Sequence, residues 1–400
     1  MVKKTLFAAA IAAIVLPFSA LAQPKAADPG LTFTVVKENP ITSIKNQNRS
    51  GTCWCFSALA FLESEAIRIN NLKEADYPDF SRMFVVSKSY QDRAEEFVRM
   101  DGHLGFAAGS WSEDAVHHIM KNYGLVPTEV MPGLNYGTEL PVHGEIDAVA
   151  KAYVDAIAKN PNKKLSTAWK NGFKGIMDAY FGECPTEFEY KGKKYTPASY
   201  RDSFKLNADD YITLTSFTHH PFYTTFAVEV CDNWRRDQAY NVPIDELMDA
   251  LYYALENGYT TCWGGDVSEP GFTRNGTALL IDPKASTSGS DQERWVGKAD
   301  EKKAEEKPAE APKEIVADQA YRQKGYDEKS TTDDHGMQAY GIAKDQFGNK
   351  YIMIKNSWGE SGKYKGLWYM SDAFCRGKVL GIMMHKDALP KALKSKLGIK

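Results

Sequence analysis

The sequence lacks an excess of positive charge: 49 Lys and Arg stand against 52 Asp and Glu, for a formal net charge of −3. That removes the basic footprint that nucleic-acid binding needs, so no nucleic acid is expected as a partner. No later segment is apolar enough to cross a bilayer, and the apolar run near the start is shorter than the roughly 20 residues a span requires. Metal-ligand spacing is absent too. There is no Cys-x-x-Cys pair, no His/Cys set spaced for zinc and no loop spaced for calcium, so neither a metal nor a cofactor is expected. Two histidine pairs, His117-His118 and His219-His220, do not alter this reading. Neighbouring side chains on a strand or turn point apart, so a structural or surface role is expected for both pairs. Cysteine is scarce: Cys53, Cys55, Cys184, Cys231, Cys262 and Cys375. If one is a free nucleophile, five remain, and an odd number cannot all pair within the chain. A single disulfide, for example Cys184 with Cys231, suits an oxidising compartment, but pairing among Cys184, Cys231, Cys262 and Cys375 cannot be read from sequence. No internal repeat is found.

What is present begins with Met1-Val-Lys-Lys-Thr, an apolar run, and the small-residue pattern Ser19-Ala20-Leu21-Ala22. This reads as a bacterial secretory signal cut after Ala22, which predicts a periplasmic or secreted protein with no membrane association once residues 1–22 are removed. There is no cysteine at the cut, so no lipoprotein anchor is indicated. Residues 23–400 are then expected to form either one large elaborated domain or two fused lobes, taken together as a single unit. Within it, residues 298–312 are low in complexity and strongly charged and are read as a solvated, disordered insertion, part of a low-complexity charged insertion of about 285–325.

Apolar positions from Trp54 through Leu62 have helical spacing, so Cys53 is placed in the first turn of a long buried helix that Asn70-Asn71 ends. Ser50-Gly51-Thr52 is its capping loop. Helical and mixed segments follow to about residue 205. Residues 211–217, 226–230 and 258–263 read as strands, and the run after Pro243 reads as an amphipathic helix. After His335, short apolar runs separated by turns predict an antiparallel meander.

Four residues carry the chemistry: Gln47, Cys53, His335 and Asn356. A thiol attacks an amide as thiolate, so its pKa must fall. A helix N-terminus and an imidazolium ion pair with His335 are the two expected causes. The tetrahedral oxygen needs donors, which the Cys53 N–H and the Gln47 amide are placed to supply. His335 would protonate the leaving amine and then activate water. Asn356 would orient the imidazole, and Trp358 would cover the pair against solvent. A lone buried cysteine is usually structural, which is how Cys55 is read.

The motifs Gln47-x5-Cys53-Trp54, His335 and Asn356-Ser357-Trp358-Gly359 resemble the papain superfamily of cysteine peptidases. The details are similar to its bleomycin hydrolase and aminopeptidase C branch. Papain-type enzymes carry a disulfide-bonded cysteine three residues before the nucleophile, where this sequence has Ser50. Trp263-Gly-Gly-Asp266-Val267 and Tyr240-Asn-Val-Pro-Ile resemble segments of the branch. Ala108-Gly109-Ser110-Trp111 with Tyr123-Gly-Leu-Val-Pro127 resembles the stretch lining its non-primed cleft. The resemblance implies an α+β, two-lobed papain-like fold with large insertions. A helical lobe would carry the cysteine, and an antiparallel sheet or barrel lobe would carry His335 and Asn356. It also implies substrate contacts at Gly109, Ser110, Trp111 and Trp358.

The expected activity is hydrolysis of peptide substrates through an acyl-enzyme, in an aminopeptidase-like manner. In the branch, a C-terminal arm enters the cleft and its carboxylate holds the substrate's amine. Here much of that arm is expected to be missing, so an endopeptidase with an open cleft is the alternative. A non-catalytic peptide-binding protein and acyl transfer from the same intermediate are the other readings. A homo-oligomer is left open.

Overall fold

Helix α1 (Cys53–Asn70) is apolar or small around most of its surface, and every residue from Trp54 to Ile67 is buried. A helix that is hydrophobic all round belongs in the middle of a protein. In the computed structural model, which describes residues 30–161, 164–281 and 310–400, α1 lies between a helical lobe and a large sheet. Its two ends follow the sequence reading. Gly51 turns the chain into the helix with φ +62°, and Asn71 closes it in the left-handed conformation, its N–H returning to Ile67 O.

The helical lobe is built from α2 (Arg82–Arg99), a π-helical segment Asp114–Met120 running into α3 (Lys121–Tyr123), α4 (Gly144–Ala158), α5 (Ala168–Phe181) and α6 (Pro197–Ser203). Ser81 caps α2 by accepting the Phe84 N–H at 3.1 Å. Phe61, Phe84, Phe97, Phe173 and Phe181 pack into one core with the apolar side of α1.

Twelve strands form the rest: β1 (Phe33–Glu38), β2 (Phe188–Tyr190), β3 (Lys193–Tyr195), β4 (Tyr211–Thr215), β5 (Thr225–Ala227), β6 (Gln238–Asn241), β7 (Thr261–Gly265), β8 (Thr277–Ala278), β9 (His335–Asp345), β10 (Lys350–Lys355), β11 (Leu367–Ser371) and β12 (Val379–His385). Apart from the β2–β3 hairpin they make one ten-stranded sheet, ordered β5-β6-β4-β12-β7-β9-β10-β11-β8, with β1 added on β9. The expected antiparallel meander is β9–β10–β11. The sheet is mixed rather than wholly antiparallel, because β4 pairs parallel with β6 and β11 parallel with β8. A parallel pair needs a long return connection, and residues 216–237 supply the one between β4 and β6.

Strand β9 positions the chemistry. One edge pairs with β10; the other is shared end to end by β7, opposite His335–Ala339, and β1, opposite Gly341–Asp345. His335 is its first residue, opposite Gly265. A second core of Trp263, Trp368, Phe374, Ile354 and Leu251 fills the space between the sheet and α7 (Ile244–Glu256).

One sequence expectation is corrected here, and one segment is added to the reading. The downstream end of the charged insertion is built into the fold. Ile315 N donates to Leu280 O at 2.8 Å, and α8 (Gln319–Asp327) is capped by Asp318. Arg322 of α8 is buried, donates to Ser216 O at 2.6 Å and stacks over Phe217. The charged pattern masked this helix because its apolar contacts come from Ala317, Tyr321 and Tyr326, scattered among polar residues. The leader and residues 282–309 of the insertion lie outside the described residues. The example disulfide is not formed, since all six cysteines are free; Cys184 is buried beside Ser87 while Cys231 is exposed.

Candidate active site

Cys53 opens α1 facing the start of β9. Its sulfur accepts the backbone N–H groups of Gly336 and Trp54. The next residue back along β9 is His335, whose Nε2 lies 2.7 Å from Asn356 Oδ1. Asn356 directly follows β10, the antiparallel neighbour of β9. The Ser357 N–H also donates to Asn356 Oδ1, at 2.7 Å. That second donor fixes which end of the amide faces the ring, because an NH2 group there would meet the Ser357 N–H. Nε2 therefore carries the proton and donates to Asn356, and Nδ1 is left with the lone pair that can take a proton from a thiol. The Trp358 ring lies 4.7 Å from the imidazole, tilted by 32°. Phe272 and Trp368 pack on Trp358 from the side away from solvent.

Gln47 lies on the strand-like approach to the helix, where Asn46 bridges to Trp358. Its N–H donates to Ser357 O at 2.7 Å, and its Oε1 accepts from Ser357 Oγ at 2.6 Å. With the carbonyl end of the amide held by Ser357, the NH2 end is the one left to serve as a donor. Cys53, His335, Asn356, Gln47 and Trp358 are thus brought into one connected group.

Burial opposes the expected ion pair. Burial pushes the Cys53 thiol up to about 12, and the charges of Asp232 and Asp333 add to that. Burial holds His335 down to about 4, only partly offset by the Asn356 bond. Desolvation thus works against the helix tip and the two N–H donors, and favours thiol beside neutral imidazole over the charged pair. Transfer of the proton from sulfur to ring leaves the net charge of the pair unchanged, so nucleophile formation is an internal step.

The stretch expected to line the cleft has structural duties. Ser110 is buried, donates to Asp114 Oδ2 at 3.0 Å and accepts from Trp234 Nε1 at 2.8 Å. Its hydroxyl is already committed. Trp111 packs against Gly381, where a Cβ would come within 2.9 Å of the indole. Gly109 presses on Asp232, whose Oδ2 would lie 2.3 Å from a Cβ there. The His219-His220 expectation is also corrected: both Nε2 atoms meet the carboxylate of Glu229, at 3.1 and 2.8 Å, rather than pointing apart. His118 pairs with Asp237 at 2.8 Å, as a structural reading requires.

Sequence reasoning did not single out Ser357, Gly336, Asp232 or Asp333. Ser357 sits inside the Asn356–Gly359 motif, and Gly336 directly follows His335. The two aspartates carry no sequence signal, since it is the fold that brings their charges to bear on Cys53.

Comparison with known proteins agrees with this geometry. Residues 31–172 match the papain family cysteine protease model, and residues 315–399 match the peptidase C1-like family model. The chain is 24% identical to aminopeptidase G of Lactobacillus delbrueckii subsp. lactis, over 90% of this chain and 85% of that protein. It is 23% identical to aminopeptidase C of Lactobacillus helveticus, over 90% and 85%. The crystal structure of PepW from Lactobacillus rhamnosis superposes with a TM-score of 0.67 at 19% identity, covering 92% of this chain and 85% of that one. The helix-borne cysteine, the strand-borne histidine and these likenesses agree: the chain belongs to the papain superfamily of cysteine peptidases, in its aminopeptidase C branch.

Proposed function

We propose that this peptidase is exported and removes residues from peptides bearing a free N-terminal amine, through an acyl-enzyme on Cys53. The observation that carries the catalytic part is the shared contact of α1 and β9, which sets the Cys53 sulfur on the Gly336 N–H beside an imidazole held by Asn356. In the reaction, His335 Nδ1 takes the thiol proton as sulfur attacks the carbonyl carbon. The Cys53 N–H and the Gln47 amide receive the developing oxyanion. The protonated ring then gives its proton to the leaving amine, and water, deprotonated by His335, cleaves the thioester.

Two things support the amine-end reading. The relatives are named as aminopeptidases. In addition, the carboxyl groups of Asp232 and Asp333 act on Cys53 through their charge when ionised, and among the described residues neither takes part in a hydrogen bond or an ion pair. Arg93, the cation acting on Asp232, spends its own donors on the carbonyls of Gly105, Ala107 and Gly109. Burial raises both carboxyls above the usual range, Asp333 strongly. An ammonium group seated there would favour the ionised carboxylates and pair with them. It also offsets the part of the thiol's rise that these charges add to burial, so recognition of the amine eases thiolate formation.

The test is mass spectrometry of products from one peptide with a free and with an acetylated N-terminus. Single-residue release from the free form alone supports the reading; internal cleavage of both forms favours an endopeptidase. Asp333→Asn and Asp232→Asn are expected to narrow the preference for the free amine, with hydrolysis of the blocked peptide kept or raised because the charges that add to the thiol's pKa are gone. Export is tested by N-terminal sequencing of the mature chain, with Gln23 expected first.

A further inference from the structure

We infer that His219, His220 and Glu229 form a binding site for a divalent transition-metal ion such as zinc, made of residues the catalytic site does not use. Their ligand atoms all lie within 4.8 Å of one another. His219 Nε2 is 3.1 Å from Glu229 Oε2, and His220 Nε2 is 2.8 Å from Glu229 Oε1. Ligand atoms about 2.0–2.1 Å from a tetrahedral zinc ion are roughly 3.3 Å apart. The three groups therefore need only small rotations to admit an ion. Two imidazoles and one carboxylate suit zinc and its borderline neighbours rather than calcium or magnesium, which prefer all-oxygen shells. The three side chains are half-exposed or exposed, so the fourth position opens to water.

The surroundings hold this geometry. The Asn241 side chain, fully buried, receives the Phe217 N–H and donates to the carbonyls of Phe217 and His220 at 2.8 and 2.9 Å. This clamps the turn that carries both histidines. The His219 ring stacks on Tyr326, and the His220 ring stacks on Phe226 at 4.1 Å. Tyr326 Oη donates to the Glu229 carbonyl at 2.9 Å and reaches its Oε2 at 3.3 Å. Together these fix ring and carboxylate orientation before any ion binds, as metal ligands require.

One proton must move. Gln323 Oε1 accepts from the Thr218 N–H at 2.6 Å, so its NH2 end faces His219 Nδ1 at 3.0 Å and Asp327 Oδ1 at 2.9 Å. His219 Nδ1 is thus an acceptor, and Nε2 carries the proton given to Glu229. Metal binding at Nε2 moves that proton to Nδ1, which then needs an acceptor. Gln323 must turn its oxygen to the ring, so Gln323 is the positioning residue that sets affinity.

The experiment titrates ZnCl2 into the EDTA-treated chain carrying Cys53→Ala, by calorimetry against a competing chelator, with X-ray absorption of the loaded protein. Removing Cys53 removes the reactive thiol as a rival ligand. The inference predicts one ion per chain with nitrogen and oxygen ligands only. His220→Ala or Glu229→Gln should weaken binding at least about tenfold, and Gln323→Glu, which gives Nδ1–H a permanent acceptor, should tighten it about tenfold. Circular dichroism of each metal-free variant checks the fold, and Gln323→Glu still tests the site if a ligand variant does not fold. Sulfur in the first coordination shell, zinc uptake unchanged in His220→Ala, or no uptake at micromolar zinc would each overturn it.

Discussion

Gly336 meets Cys53 without a side chain in between. A Cβ on Gly336 would lie 2.7 Å from Ser57 Oγ and 3.5 Å from the Cys53 carbonyl oxygen. The approach of β9 to α1, and with it the reach of His335 to the sulfur, depends on that missing carbon. Gly336→Ala should push strand from helix while leaving the His335–Asn356 bond within the sheet. Displacement of this kind costs about 100-fold in rate. We expect kcat/KM to fall by about that factor in a chain that still folds. Unchanged kinetics would mean the two elements approach differently.

The Ser357 hydroxyl holds the carbonyl end of Gln47, so two substitutions should separate support from catalysis. Gln47→Ala removes the proposed oxyanion donor and should lower kcat by about 10²–10³-fold. Ser357→Ala keeps that donor but frees its amide to rotate, so a smaller loss is expected, again in kcat rather than KM. Equal losses in both variants would deny Gln47 a direct role.

Asn356→Ala should lower kcat/KM by about 100-fold, since the imidazole loses its one side-chain hydrogen bond and its preferred tautomer. Asn356→Asp keeps an acceptor at Nε2 and adds a negative charge that favours the imidazolium. Its pH–rate profile should show the His335 limb moved upward from the alanine variant's. Coincident profiles would contradict the orienting role.

Acid should destabilise the fold in a defined window. His335 and His143 are both buried, and desolvation holds each near about 4. In the unfolded chain a histidine takes a proton from roughly pH 6.5. Between those values the unfolded state binds more protons, so stability falls as pH falls through the window; above it these groups contribute no pH dependence. The His143 ring is fully buried, with only the Ser50 backbone acting on it as a hydrogen-bond partner, and packs between Tyr136 and Phe181. His143→Phe should therefore raise the urea midpoint at pH 5 more than at pH 8. An equal shift at both values would rule out titration as the cause.

How far the sequence alone leads can be judged from particular residues. Cys53, His335 and Asn356 were legible because each sits in a short motif whose chemistry needs those residue types. The span of α1 followed from its periodicity and from Asn70-Asn71. The meander after His335 followed from apolar runs and turns. The helix Gln319–Asp327 was hidden, because its buried arginine and tyrosines look like solvated residues in a charged stretch. Ser110 was read as cleft lining, since a motif cannot show that Trp234, more than a hundred residues away, takes its hydroxyl. The convergence of His219 and His220 on Glu229 depends on the Asn241 clamp, a contact no local rule anticipates. The burial acting on Cys53 and His335 is hidden from the sequence for a similar reason: desolvation depends on what the fold packs around a group.

The central claim is that Cys53 becomes a nucleophile by giving its proton to His335. The most direct measurement is the rate of covalent labelling by a peptidyl epoxide, with the adduct located by peptide mapping, in the native chain, Cys53→Ala and His335→Ala. The account predicts a single adduct on Cys53, none in Cys53→Ala, and labelling slowed by at least about 100-fold in His335→Ala. Labelling at another cysteine, or an undiminished rate without His335, would contradict it.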